Sequence, residues 1–284
     1  MLRGPGNACS GRRKNYNNGG IMDLGLDGQV ALVAASSKGL GKACALAFAR
    51  EGARVVICAR DEGELVKTKE EIRDRHGVEV LALSCDLTQA SAIRRLVDAA
   101  AAKFGTIDIL INNSGGPPPG FFPDMEDEDW QNAFDLTVMS SVRLTREVLP
   151  LMKKQQYGRI VNITSISVKQ PIDQLLLSNS LRLAVVGWAK TLSNQVAGEG
   201  ITINNVCPGW TLTGRVEQLL RSQAETRNIS IEEAEKTITD GIPMRRLGSP
   251  EEFADLIVFL GSRRSAYMTG TTIQIDGGMT AGYD

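Results

Sequence analysis

The chain predicts an α/β fold, a doubly wound (Rossmann-type) seven-stranded parallel sheet with helices on both faces in a single domain. Three observations carry that expectation. Apolar runs of strand length alternate strictly with longer amphipathic stretches, the order that β-α-β crossovers require. Six of the seven runs are rich in Val and Ile and lack the in/out alternation of a half-exposed sheet, as parallel strands covered on both faces do. The first run passes through a glycine-bearing turn directly into a helix, so free N–H groups face whatever sits beyond the strand's end.

Taken in order, strands are expected over residues 30–34, 54–59, 80–84, 107–112, 159–164, 202–206 and 272–275. Helices are expected over 40–50, 62–75, 90–103, 127–154, 178–196 and 250–261. Asp61 opens the second helix and reads as its N-cap. No linker or repeat interrupts the alternation, and ligands of such a sheet bind beyond the carboxyl ends of its strands.

Composition narrows the function classes. At 284 residues and 42% apolar content the chain can bury one large core. With 32 basic and 33 acidic residues the net charge is -1, so no field recruits nucleic acid or an acidic membrane surface. No run of apolar residues is long enough to span a bilayer. Residues 1–22 carry Arg3, Arg12, Arg13 and Lys14 without an acid and lack an apolar core segment, so they read as a disordered extension rather than a secretory signal. The domain is expected over 23–284, with a lid segment at about 210–243. Cys9, Cys44, Cys58, Cys85 and Cys207 have no paired spacing and read as reduced residues of a cytoplasmic protein. No metal site is expected.

The first turn, Ala35-Ser36-Ser37-Lys38-Gly39-Leu40-Gly41, is read as a phosphate cradle at a helix N-terminus. Three glycines are usual there, and Ala35 stands at the first, which requires a negative φ if its Cβ is to be tolerated. The second strand ends in Cys58-Ala59-Arg60. A small neutral residue followed by Arg leaves room for a 2′-phosphate, and Lys38 adds charge from the other side, so these residues favour NADP(H) over NAD(H).

Further segments complete a pattern. Cys85-Asp86-Leu87 ends the third strand, Asn112-Asn113-Ser114-Gly115 the fourth, Ser165 follows the fifth, and Pro208-Gly209-Trp210-Thr211-Leu212-Thr213 follows the sixth. With the tail over residues 243–278 they resemble the short-chain dehydrogenase/reductase family, and in particular its 3-oxoacyl-acyl-carrier-protein reductase type, over about residues 24–279. The resemblance implies that Asp86 and Leu87 meet the adenine and that Asn113, Ser114 and Gly115 line the cofactor. It implies too that Pro208, Gly209, Thr211 and Thr213 hold the nicotinamide end. It also implies a homo-oligomer, tetramer or dimer, built on the long helices.

The same alignment exposes a break. Where the family carries a proton-donating tyrosine, a lysine, a serine and an asparagine, this chain has Ser178, Arg182, Ser165 and Thr137. Ser178 and Arg182 lie one helical turn apart on one face. Arg182 can bond ribose hydroxyls, yet it does not exchange a proton near neutral pH. Tyr16, Tyr157, Tyr267, Tyr283 and His76 all fall away from the expected site. Lys169 and Asp173 remain, and Lys169 is the preferred substitute proton source. Phe121 and Phe122 either line the site or plug the core, and Trp210 belongs to the lid. Two readings follow: an NADP(H)-dependent oxidoreductase acting on a carbonyl or alcohol, or a catalytically weak NADP(H)-binding scaffold or sensor.

Overall fold

The computed structural model describes residues 22–282. The expected extension up to residue 21, with Cys9 and Tyr16, lies outside the described residues, as does Tyr283. Seven strands form one all-parallel sheet: β1 (Val30–Val33), β2 (Arg54–Ala59), β3 (Val80–Ser84), β4 (Ile109–Asn112), β5 (Gly158–Ile163), β6 (Ile201–Pro208) and β7 (Thr272–Ile275), in the order β3-β2-β1-β4-β5-β6-β7. The fourth strand starts two residues later than its sequence suggests; at its entry Asp108 accepts the Val30 N–H on its carboxylate at 2.8 Å while its backbone bonds Val30 and Arg159 on either side.

Helices α1 (Gly39–Arg50), α2 (Glu62–His76) and α9 (Pro250–Gly261) cover one face, where Phe48, Leu65, Ile72, Phe253 and Ile257 pack on Val55, Ile57 and Ile109. Helices α3 (Ala90–Phe104), α5 (Ser140–Gln155) and α6 (Leu176–Val196) cover the other, with Ile93, Leu96, Leu144, Val148 and Ala189 against Leu32, Leu110 and Ile160. Both faces of the central strands are therefore dry, which is why these strands are rich in Val, Ile and Leu. Each such side chain contributes ~1.5–3 kcal/mol.

The expected single helix over 127–154 is instead α4 (Asp127–Phe134), a π turn (Asp135–Met139) and α5. The extra residue of the π turn leaves Thr137 buried beside the sheet's carboxyl edge. Behind that edge a ladder of amides crosses four strands at one level. Asn112 donates to Asn162 at 2.8 Å, Asn162 to Asn205 at 2.9 Å, and Asn205 to Thr272 at 3.2 Å. The strand order reverses between β1 and β4, so their connections diverge to opposite faces and leave a crevice at their carboxyl ends. Helices α7 (Gly214–Arg227) and α8 (Ile231–Thr239) stand over it, closed on a small core of Val216, Leu220, Ala224, Ala234 and Ile242. Among the described residues no helix is long and apolar enough to cross a membrane, and no His/Cys/Asp/Glu cluster could hold a metal ion. Cys44, Cys58, Cys85 and Cys207 are free and buried.

Candidate active site

A cleft of about 1070 Å³ runs along the carboxyl edge from β3 to the lid. At its β1 end, α1 begins with Lys38 at the N-cap, no side-chain cap and no acid in the first turn, so its first N–H groups open into the cleft. Ser37, Lys38, Gly39 and Leu40 line it as expected. Ser36 does not. Its hydroxyl donates to the Val33 carbonyl at 2.7 Å and accepts from the Cys58 N–H at 3.2 Å, which ties the turn to β2 and buries the side chain completely. Gly41 is also behind the wall. A Cβ there would stand 2.3 Å from the Ala35 carbonyl oxygen, so glycine is required for the helix to approach the turn.

Ala35 corrects the sequence expectation. Its φ is +46°, in the left-handed region, not negative. The turn keeps the shape a glycine would give it and bears the strain of a Cβ, which costs ~1–2 kcal/mol. Asn113 supports that shape by donating its amide to the carbonyls of Ala34 and Ala35, both at 3.2 Å. Gly41→Ala is expected to destabilise the protein by ~1–3 kcal/mol through overpacking and to weaken dinucleotide binding with it. Thermal melts with and without NADP+ read both effects.

Farther along, Arg60, Asp86, Leu87, Asn113, Ser114 and Gly115 line the cleft. Asp61 accepts from the Glu64 N–H at 3.1 Å, the N-cap geometry expected of it. Lys38 lies 3.6 Å from Glu64, which shares its charge, whereas the exposed Arg60 guanidinium makes no ion pair or hydrogen bond among the described residues. Asp86 spends one carboxylate oxygen on Thr88 and keeps the other for the cleft.

The opposite end of the cleft holds Ser165, Ser178 and Arg182. Ser165 caps a single 3-10 turn by accepting from the Ser167 N–H at 3.1 Å, and its own hydroxyl hydrogen has no acceptor there. Arg182 is buried, donates Nε to Ser178 Oγ at 3.2 Å and Nη1 to the Ile163 carbonyl at 3.1 Å, and makes no ion pair. Burial pushes its guanidinium down to about 10, partly offset by the Cys207 thiol, so it stays cationic near neutral pH. Ser178 also lies 3.4 Å from Ser167 Oγ. Sequence reasoning overlooked Ser167, although a hydroxyl two residues after Ser165 in a tight turn was the available signal. Beside Arg182 is a cavity of about 10 Å³ lined by Asn112 and Thr137, whose Oδ1 and Oγ1 are buried without partners. It has room for one water held by those two atoms and the guanidinium.

Several expected residues stand elsewhere. Lys169 is half-buried and does not line the cleft; its charge instead acts on the Cys207 thiol. Asp173 is exposed. Thr211 is buried in a bridge to Gly248 behind the cleft wall, while Pro208, Gly209 and Thr213 line it. Phe121 and Phe122 are 49% and 74% exposed and neither line the cleft nor plug the core, because the following 3-10 turn carries both outward. Pro117, Ile166, Ile172, Leu175 and Trp210 form the apolar wall instead. Tyr157 is at the far end of the sheet between Arg159 and Arg263, and Tyr267 is fully exposed.

The family model described as enoyl-(acyl carrier protein) reductase matches residues 34–280. The 3-oxoacyl-acyl-carrier-protein reductase FabG of Thermotoga maritima is 34% identical over 89% of this chain and 98% of its own. The NADPH-dependent reductase BacG of Bacillus subtilis is 32% identical over 88% and 97%. L-sorbose reductase from Gluconobacter frateurii, solved with NADPH and L-sorbose, superposes with a TM-score of 0.89 at 32% identity, covering 92% of this chain and 100% of that one. A glycine turn on a seven-stranded parallel sheet, with a serine closing the fifth strand and matched over nearly the whole length, makes this chain a member of the short-chain dehydrogenase/reductase family, of its 3-oxoacyl-acyl-carrier-protein reductase-like type.

Proposed function

We propose that the chain is an NADP(H)-dependent oxidoreductase that moves a hydride between the nicotinamide and a carbonyl or alcohol substrate, with an atypical active site. The observation that carries this reading is one continuous cleft. It joins an uncapped α1 N-terminus and a partnerless Arg60 at one end to Ser165 and a buried, uncompensated Arg182 at the other. These residues fit the dinucleotide. The α1 N–H groups and the open space beside Gly115 and Gly116 suit a pyrophosphate and its ribose, and Arg60 with Lys38 suits a 2′-phosphate. When bound, NADPH supplies the hydride. The BacG relative is named as NADPH-dependent and the sorbose reductase holds NADPH, which supports NADP(H) here over NAD(H).

Within the chain, Ser165 donates to the carbonyl oxygen and Arg182 holds the ribose edge and the developing charge. Ser178 orients Arg182. The nicotinamide end is walled by Pro208, Gly209 and Thr213. Lys169 does not line the cleft, so bulk water is the proton source in this reading. Turnover of NADPH against a panel of carbonyls, and of NADP+ against alcohols, tests it. Binding without turnover of any member would leave the scaffold reading in its place.

Arg60→Ala is expected to weaken NADPH binding by ~10- to 100-fold, the loss of one charge-assisted contact, with NADH binding nearly unchanged. Fluorescence titration of both cofactors measures the difference. Assembly as a dimer or tetramer belongs to the same reading, since Leu183 on α6 and Phe134 on α4 leave apolar surface exposed. Light scattering on eluted protein reads the number.

A further inference from the structure

We infer that the substrate is a free oxo acid, a carbonyl compound whose hydrocarbon part ends in a carboxylate, and that the lid takes up that carboxylate on Arg221. The inference rests on the reading of the cleft as an NADP(H)-dependent hydride-transfer site and names its substrate class. It starts from the two walls of that site. Pro117, Ile166, Ile172, Leu175 and Trp210 make one of them apolar. The other is α7, and the helical period sorts its side chains. Val216, Leu220 and Ala224 are buried in the lid's own small core, whereas Glu217, Gln218 and Arg221 form the stripe that lines the cleft. A lid that only covered an apolar substrate would turn an apolar stripe toward it. This one presents a guanidinium. Arg221 is exposed and makes no ion pair or hydrogen bond among the described residues, although Glu217 stands one helical turn before it, where such pairs form.

The start of α7 abuts the phosphate cradle, since a Cβ on Gly39 would lie 3.8 Å from the Thr213 side chain. Arg215 is at that start, and Arg221 lies ~9 Å farther along the helix axis. Arg215 therefore goes with the cofactor's phosphates and Arg221 with what lies beyond them. Beyond the cradle the lining holds Arg182 and Arg221 against a single acid, Glu217. The excess is one positive charge, which suits a carboxylate. A phosphate monoester carries nearly twice that charge and would face Glu217 as well. An arginine fork meets a carboxylate through two parallel N–H groups, a contact roughly twice as strong as a neutral hydrogen bond. In the reaction the carbonyl carbon gains the hydride as NADPH becomes NADP+, its oxygen takes a proton from water, and the carboxylate is unchanged. The product is a hydroxy acid.

Two readouts test this, one of them without turnover. Acetylbenzoates and straight-chain oxo acids of increasing length, each beside its methyl ester, are offered with NADPH. The acid that spans the cleft is expected to exceed its ester ~10- to 100-fold in kcat/KM, the worth of one charge-assisted contact. Added salt should narrow that gap, because Arg221 is exposed. Arg221→Met should raise KM for the acid to the level of its ester, with kcat and the NADPH dissociation constant unmoved, and Arg221→Lys should recover part of the preference. Without turnover, the matching hydroxy acid with NADP+ present should raise the melting temperature of the parent and not of Arg221→Met. Esters, or acyl thioesters of pantetheine, reduced as well as the free acids overturn the inference and leave the reductase reading standing. A loss of NADPH affinity in Arg221→Met as large as its loss of the acid does the same, since Arg221 is then a cofactor contact. Hydroxy acids held through Arg221 with no carbonyl turned over overturn the reductase reading alone. Neither binding nor turnover, with NADPH still bound, overturns both.

Discussion

Arg182→Met is expected to leave the protein without cofactor at least as stable as the parent while removing most of its turnover. The parent buries a guanidinium with no counterion, and an uncompensated buried charge costs several kcal/mol. Methionine matches the aliphatic stem and removes that cost. Against the gain stand two lost hydrogen bonds, to Ser178 Oγ and the Ile163 carbonyl, each ~1–3 kcal/mol when a partner is left unsatisfied. The balance is a gain of ~1 kcal/mol, or ~2–4 °C in a domain of this size. Turnover should fall by ~10²- to 10³-fold, as when one donor to a developing oxyanion is removed.

A second measurement separates the charge from mere packing. The folded protein holds the Arg182 guanidinium at about 10, below its ordinary value, so between the two the unfolded chain binds more protons and stability rises with pH. The deficit of the parent relative to Arg182→Met should therefore be complete below about pH 10 and fade above it. A variant that melts well below the parent at neutral pH, or a deficit indifferent to pH, would count against the uncompensated charge. An anionic ligand seated at Arg182 raises the melting temperature of the parent more than that of the variant.

Ser165→Ala carries the other large effect. The hydroxyl caps one short turn by accepting from the Ser167 N–H and has its hydrogen free toward the cleft, where the proposed function assigns it to the substrate. Expected are a fall in kcat of ~10²- to 10³-fold, an unchanged dissociation constant for NADPH, and a melting temperature within about 2 °C of the parent. Steady-state kinetics beside a cofactor titration gives the split. Turnover indifferent to the change would show that Ser165 is not the carbonyl's donor.

The elements themselves were legible because their physics is local. Val and Ile concentrated over residues 54–59 and 159–164, without in/out alternation, mark strands buried on both faces, and α9 begins and ends where its amphipathic stretch does. The cofactor end was legible for a similar reason: Lys38, Gly39, Arg60 and Asp86 follow strand ends directly, and in a parallel sheet strand ends converge on one edge. Where a side chain's direction depends on a neighbouring segment, sequence reasoning failed. Ser36 and Thr211 sit in the right motifs but turn inward, onto β2 and toward Gly248. Lys169 does not line the cleft, and the π turn at Asp135–Met139 has no periodic signature in so short a window.

The sequence by itself determined the family, the seven-stranded parallel sheet and which residues stand at its strand ends, since each follows from residue type at a fixed distance from a strand end. Only the tertiary structure decided that Ala35 bears a positive φ and that Phe121 and Phe122 stand outside the site. It alone also decided that Arg182 is buried with two of its five N–H donors spent, Nη2 unpartnered among the described residues and no acid beside it. The reason is physical: the charge state and free valences of a buried group depend on every segment packed against it, and beside Arg182 those segments include β4 and the π turn as well as β5, which meet α6 only in the fold.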